Sequence, residues 1–318
     1  MMEKAMKKIL CIGSLTTDVI VKHASSVPTA GTLRSVDSIT THVGGCASNA
    51  AIDLAKLGVP VVFSGKTGKD SFGSFVKETL MQNGVDTRGL VADEKVSTTV
   101  SIVCVYESGE RSFLYQPGSS SEFRLEDIDK SLIDECDIIF YAGAMLMQSL
   151  DGEPIAELMK YAKSKGKYTV MDTAWDFEDI WLPKVKPVIP YLDLFMPSIE
   201  EAQKITGEQD INHVADRLFE LGAENVIVKA GKDGALVCPK GLERRMMPTY
   251  LKFKPVDTTG AGDSFCAGFL AGLAQGWDYY ESAAFANAVG THCIMCVGAS
   301  TGIKPIADIL KFMEENKI

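Results

Sequence analysis

Over most of the chain, short apolar runs alternate with longer segments whose apolar positions recur every three or four residues. The runs Lys8–Ile12, Val59–Ser64, Ile138–Ala142, Tyr168–Asp172, Leu194–Met196 and Asn225–Lys229 predict buried strands. The segments Ala47–Leu57, Ser71–Gln82, Pro154–Lys165, Ile199–Thr206, Ile211–Leu221, Gly262–Gln275 and Tyr279–Cys296 predict helices. Glycines follow several of them, at Gly58, Gly84, Gly166, Gly207, Gly222 and Gly276, where a left-handed residue closes a helix. Strands that cross to helices in this rhythm build a parallel sheet.

Two stretches break the rhythm, Thr32–Val43 and Ser97–Gln116. In the second, Ser101-Ile102-Val103-Cys104-Val105-Tyr106 alternates and returns through Ser112-Phe113-Leu114-Tyr115 after Glu107-Ser108-Gly109-Glu110, which reads as a hairpin. Together they predict a small β-sheet lid built from about 14–43 and 97–118, outside the parallel sheet. With no repeat, low-complexity tract or Gly/Ser linker, residues 1–318 read as one domain.

At 318 residues the chain is long enough to bury a large core, which excludes a disulfide-stapled module. The balance of 32 basic to 42 acidic residues, a net charge of −10, argues against broad binding to nucleic acid or an anionic membrane. The most apolar run, Ile138 to Met147, is too short to span a bilayer, and the start shows no secretory pattern, so a cytoplasmic protein is expected. Of eight scattered cysteines only Cys293-x-x-Cys296 has ligand-like spacing, and without a second pair it reads as packing. Met145-Leu146-Met147 reads as core or pocket wall, and no catalytic role falls to His23, His42, His213 or His292.

The sharpest chemical signal is Asp257-Thr258-Thr259-Gly260-Ala261-Gly262-Asp263 opening a helix. Small residues there leave backbone N–H groups open to an anion, with the helix dipole favouring negative charge. Asp263 inside such a cradle is either a helix cap or a base for a hydroxyl that attacks phosphorus.

Asp-Thr-x-Gly-Ala-Gly-Asp resembles the C-terminal signature of the ribokinase-like, or PfkB, carbohydrate kinases. Gly44-Gly45-Cys46-Ala47-Ser48-Asn49-Ala50-Ala51 resembles the family's second signature, in the expected order and spacing. The resemblance runs from Ile9 to about Pro305. It implies a three-layer α/β/α core with a mainly parallel sheet, and Asp263 as general base beside an anion hole of Gly260, Ala261 and Gly262. It implies acceptor binding by Asp18, Gly44, Gly45 and Asn49. On the nucleotide side it implies ATP binding along Lys229, Gly231 and Gly234, with Asn287 and Gly298 near adenine. Glu201 would hold Mg²⁺ through water, although Ser198 stands where many relatives have Asn. Asp257 and Thr259, with carbonyls around Cys293, Cys296 and Gly298, resemble a monovalent-cation (K⁺) site of part of the family.

Relatives acting on fructose or acidic keto-sugars often carry Asp-x-Asn-x-Arg before a Trp. Here Asp172-Thr173-Ala174-Trp175-Asp176 puts Asp at the Arg position, with Trp181 beyond, and a carboxylate there would repel an anionic substrate. Gly143 replaces a Glu usual in ribokinase. Trp175, Phe177 and Trp181 can either stack on a ring or pack under a loop, and they read as packing. The expectation is an ATP-dependent kinase of a small neutral or amino-bearing sugar. Were anionic sugars the substrates, Arg34 or Arg111 of the lid would neutralise them. Alternatives are a nucleoside kinase of the same fold and a non-catalytic sugar sensor; a dehydrogenase lacks its Gly-x-Gly-x-x-Gly. A homodimer through the apolar lid strands is expected.

Overall fold

The computed structural model describes residues 6–22, 29–106 and 111–318. Its large sheet runs in the order β13 (Arg245–Met247), β12 (Ala235–Cys238), β11 (Val226–Lys229), β10 (Leu194–Phe195), β9 (Tyr168–Thr173), β8 (Ile138–Ala144), β1 (Ile9–Gly13), β4 (Val61–Gly68) and β5 (Asp86–Asp93). From β11 to β5 every neighbouring pair is parallel, and β12 and β13 add an antiparallel edge. The helices are α1 (Cys46–Lys56), α2 (Ser71–Gln82), α3 (Gly118–Ser121), α4 (Ser131–Glu135), α5 (Glu153–Ser164), α6 (Leu182–Val185), α7 (Ile199–Thr206), α8 (Ile211–Glu220), α9 (Ala261–Gln275), α10 (Tyr279–Ile294) and α11 (Ile306–Glu315).

Helices cover both faces of the sheet, giving three layers, and β1 shows why. Its side chains alternate, so Ile9 and Cys11 join the core under α1, α9 and α10, while Leu10 and Ile12 join the core under α5, α7 and α8. The six glycines expected to end helices all have positive φ, between 71° and 104°. The sequence pattern misses β5, β12, β13, α11 and the short helices α3, α4 and α6. No helix among the described residues is long and apolar enough to cross a membrane.

The second sheet has the order β3 (Ser38–Gly44), β2 (Thr16–Lys22), β6 (Val100–Val105), β7 (Arg111–Gln116) and forms the expected lid. The turn between β6 and β7, residues 107–110, lies outside the described residues, as do His23 and the Arg111 side chain. Pairing aligns His42, Asp18, Ser101 and Tyr115 across the four strands, hence on one face. The adjacent row Thr41, Val19, Ile102 and Leu114 lies on the other face.

Helix α9 is held by a close seam with α10. A β-carbon on Gly268 would lie 2.8 Å from Ala286 Cα, a backbone atom that cannot give way. Gly268→Val is therefore expected to lower stability by about 1–3 kcal/mol in urea unfolding, as overpacked cores do.

Candidate active site

The carboxyl ends of β1, β8, β9 and β11 point toward one edge, where α1 and α9 begin and the lid arches over. Ligands of open α/β sheets bind at such an edge. At α1 the double glycine is a matter of space. A β-carbon on Gly44 would fall 2.2 Å from Asp18 Oδ2, and one on Gly45, whose φ is +96°, would fall 2.6 Å from Leu15 Cα. Ser14 Oγ accepts from the Cys46 N–H at 3.0 Å and fixes the start of the helix. Gly143, at the end of β8, must also lack a side chain, because a β-carbon there would lie 2.1 Å from Ser14 Oγ.

Helix α9 opens on Gly260 in the left-handed region at φ +77°, with no side-chain cap, and Gly262 is exposed. The tip bears only small residues. The Ala261 N–H turns back to the Thr258 carbonyl at 3.2 Å, and the Gly262 and Asp263 amides lack intrahelical acceptors. Asp263 does not cap its own helix. Instead its Oδ2 accepts from Asn49 Nδ2 of α1 at 2.8 Å. Half-buried, its carboxyl is pushed above the ordinary carboxylate range by burial, with the Asn49 bond, the Lys229 charge and the Cys46 thiol opposing the shift. Asp18 stands close enough to feel it: burial, and then the Asp263 charge, raise its carboxyl to about 6. The structure therefore brings Asp18, Gly44, Gly45, Asn49 and Asp263 together. The Asn49 Oδ1 atom is buried without a hydrogen-bond partner among the described residues.

Lys229, at the end of β11, lies behind the bare tip. Its Nζ would stand 3.6 Å from a β-carbon on Gly262, and it donates to Asp172 Oδ1 at 2.6 Å, with side-chain exposures of 11% and 2%. Burial alone would lower this ammonium, but Asp172, Cys266 and Glu201 hold it well above its usual value. Glu201 is half-buried rather than an open first-turn residue. Its Oε2 accepts from Thr173 Oγ1 at 2.7 Å and from the Ser198 N–H at 3.1 Å, while Ser198 Oγ accepts from the Glu201 N–H, a capping box for α7. Asp172 and Lys229 beside Glu201 form a polar floor that the sequence reading named only in part, because the ion pair joins residues 57 apart.

Gly231 and Gly234 flank the turn from β11 to β12, and a β-carbon on Gly234 would meet the Met247 carbonyl at 2.0 Å. Asn287 is buried, and its Nδ2 donates to the Met247 and Pro248 carbonyls at 3.1 and 2.9 Å, so it braces this wall. Asp257 accepts from the Gly298 N–H at 3.0 Å and from Thr259 N and Oγ1, while the Cys293 thiol donates to the Thr259 and Ala299 carbonyls. Cys293 is thus packed into the chain, as expected. No group of three or more His, Cys, Asp or Glu among the described residues is placed to hold a metal directly. A cation carried by phosphate oxygens and kept in its own waters fits the single carboxylate of Glu201 better than a protein cage does.

The Asp176 carboxylate lies elsewhere than the sequence pattern places it. Asp176 does not face the cleft: it is buried, accepts from the Glu178, Ile180 and Trp181 N–H groups, and pairs with Lys184 Nζ at 2.7 Å. Its charge is neutralised inside a loop and cannot repel a substrate. Trp181 is buried as expected, but Trp175 and Phe177 are about half exposed, and Phe177 lies 6.4 Å from the Tyr115 ring of the lid. Met145 and Met147 are fully buried.

An uncapped helix tip carrying Asp263, with Asp18 beside it at the strand ends of a three-layer α/β core, is an arrangement suited to phosphoryl transfer to an alcohol. The chain belongs to the pfkB family of carbohydrate kinases, whose pattern covers residues 6–306. It is 28% identical to 5-dehydro-2-deoxygluconokinase of Geobacillus kaustophilus, over 88% of this chain and 87% of that one. It is 30% identical to probable fructokinase-5 of Arabidopsis thaliana, over 85% and 88%. In fold it superposes on Arabidopsis thaliana ribokinase complexed with ribose and ATP with a TM-score of 0.85, at 23% identity, covering 98% of this chain and 99% of that one.

Breaking the floor's ion pair tests how it is held. Lys229→Met strands a buried carboxylate and is expected to cost about 3–5 kcal/mol in urea unfolding. Adding Asp172→Asn to it is expected to restore most of that loss.

Proposed function

We propose that this protein transfers the γ-phosphate of ATP to a hydroxyl of a small neutral or amino-bearing sugar. The observation that carries the reading is Asp263, held by Asn49 at the mouth of the uncapped α9 tip and facing Asp18. Asp18 and the orphaned Asn49 Oδ1 supply acceptors for sugar hydroxyls, while Gly44 and Gly45 keep the wall free of side chains. Asp263, its basicity raised by burial, takes the proton of the attacking hydroxyl as the bond to phosphorus forms. The amides of Gly260, Ala261 and Gly262 receive the transferring phosphoryl group, with the Lys229 ammonium next to them. Most of the acceleration is then positioning and charge stabilisation.

ATP would lie along Lys229, Gly231 and Gly234 toward Gly298 and the wall braced by Asn287. Mg²⁺ bound to its phosphates, with waters reaching Glu201, offsets phosphate charge. Asp257 and Thr259 remain the candidate residues for a K⁺ ion. Two carboxylates on the acceptor side favour an uncharged or cationic acceptor, an argument that no longer needs Asp176. A nucleoside acceptor is the second reading, favoured by the exposed Phe177 beside Tyr115, rings on which a base can stack. We also propose a single functional domain over 1–318 that is cytoplasmic and pairs as a homodimer through the lid. The lid's outer face exposes Ile39 and Leu114, 63% and 59% accessible.

Asp263→Asn is expected to leave ATP affinity within about twofold while turnover of the best acceptor, found in a coupled screen of sugars and nucleosides, falls about 10²–10⁴-fold; near-normal turnover sinks the assignment. Leu114→Glu is expected to convert a dimer to a monomer in sedimentation velocity, and a wild-type monomer refutes the pairing.

A further inference from the structure

The face of α1 that carries Asn49 continues as Asp53 and Lys56, at helical spacing on a helix whose other buried positions are Ala47, Ser48, Ala50, Ala51, Ile52 and Leu54. Each of the three reaches a different part of the catalytic wall. Asn49 holds Asp263, and fully buried Asp53 accepts from Ser264 Oγ, the next residue of α9, at 2.6 Å. Lys56 Nζ donates to the Ser300 carbonyl at 2.7 Å. Ala299, one residue before, covers Gly260: a β-carbon on Gly260 would lie 2.5 Å from Ala299 Cβ. Ser264 Oγ also lies 3.4 Å from the Ala299 carbonyl. A carboxyl group in such a place costs stability that an apolar side chain of the same helix would not, and the phosphoryl-transfer scheme leaves it without a task.

We propose that Asp53 is a positioning residue: in its ionised form it clamps the first turn of α9, and with it Asp263, against α1 and the loop at 298–301. The charge strengthens the Ser264 bond, since hydrogen bonds to an ionised acceptor are about twice as strong as neutral ones. Asp53 Oδ1 and Ser300 Oγ are both buried without a hydrogen-bond partner among the described residues, yet the hydroxyl is near enough to favour the carboxylate. The charged and titratable groups facing Asp53 are Asp263 of α9, Cys293 of α10 and Lys56 of its own helix. Burial raises the carboxyl to about 7; the Ser264 and Ser300 hydroxyls and Lys56 hold it down, and Asp263 adds to the rise. The clamp therefore tightens as pH rises through neutrality and loosens below it.

The activity readout rests on the kinase reading; the spectroscopic one does not. In ¹⁵N-labelled protein, the amides of Ser264 and Ser300 are expected to shift with a midpoint near pH 7, a step that Asp53→Asn abolishes. Ser264→Ala, which removes a bond that favours the ionised form, is expected to move that midpoint upward, and it serves if the Asn variant does not fold. With an acceptor in hand, Asp53→Asn is expected to lower kcat about tenfold at pH 8 and to remove the inflection near pH 7, with KM for ATP and acceptor within about twofold. The proposal is overturned if wild-type protein lacks the step, if both variants keep it unchanged, or if kcat and its pH profile are those of the wild type. A protein that phosphorylates nothing but shows the step refutes the kinase reading alone.

Discussion

The hydrogen bond from Asn49 to Asp263 joins two helix beginnings that are 214 residues apart in the chain. Everything proposed for the site depends on that closure. Helix α1 brings the acceptor side, with its double glycine and the strand bearing Asp18. Helix α9 brings the bare amide tip. Helix α1 lies on β1, β4 and β8, and α9 packs directly against both α1 and α10, which brings the two tips together. The amide of Asn49 holds the Asp263 carboxylate toward α1. In the proposed reaction that leaves the base beside the anion site rather than in it.

Local chemistry decided what could be read in advance. Helices α2 and α7 are legible to the residue, because Asp70 and Ser198 start them and their apolar positions recur cleanly. The two tips are legible for the same reason, since small residues before a helix leave an unmistakable gap in the side-chain pattern. Strand β5 escapes because Asp86-Thr87-Arg88-Gly89 begins it at the sheet edge, where one flank is wet and the run carries charge. Strands β12 and β13 are short and antiparallel, outside the alternating rhythm that marks the rest.

Side-chain partners were the harder part. The family resemblance puts Lys229 beside phosphates, and nothing local says that Asp172 neutralises it, because the pair forms only when β9 and β11 flank β10. Asp176 misled for the opposite reason: aligned by position it stands where a cation is usual, but the chain turns its carboxylate onto three backbone amides and Lys184. Asp53 gave no signal at all. A single acid on an alanine-rich helix looks like a solvated residue until the helix that buries it is in place.

The lid's register has a consequence for how such a protein diversifies. Only alternate lid residues look into the cleft, in rows such as His42, Asp18, Ser101 and Tyr115, while Val19, Ile102 and Leu114 look away. Drift at positions 101 and 115 can reshape the chamber for a new acceptor without disturbing the outer surface. Drift at 102 and 114 can alter the outer surface, where the proposed pairing would lie, without touching the chamber. Two traits carried by the same four strands are thereby free to evolve along separate lines.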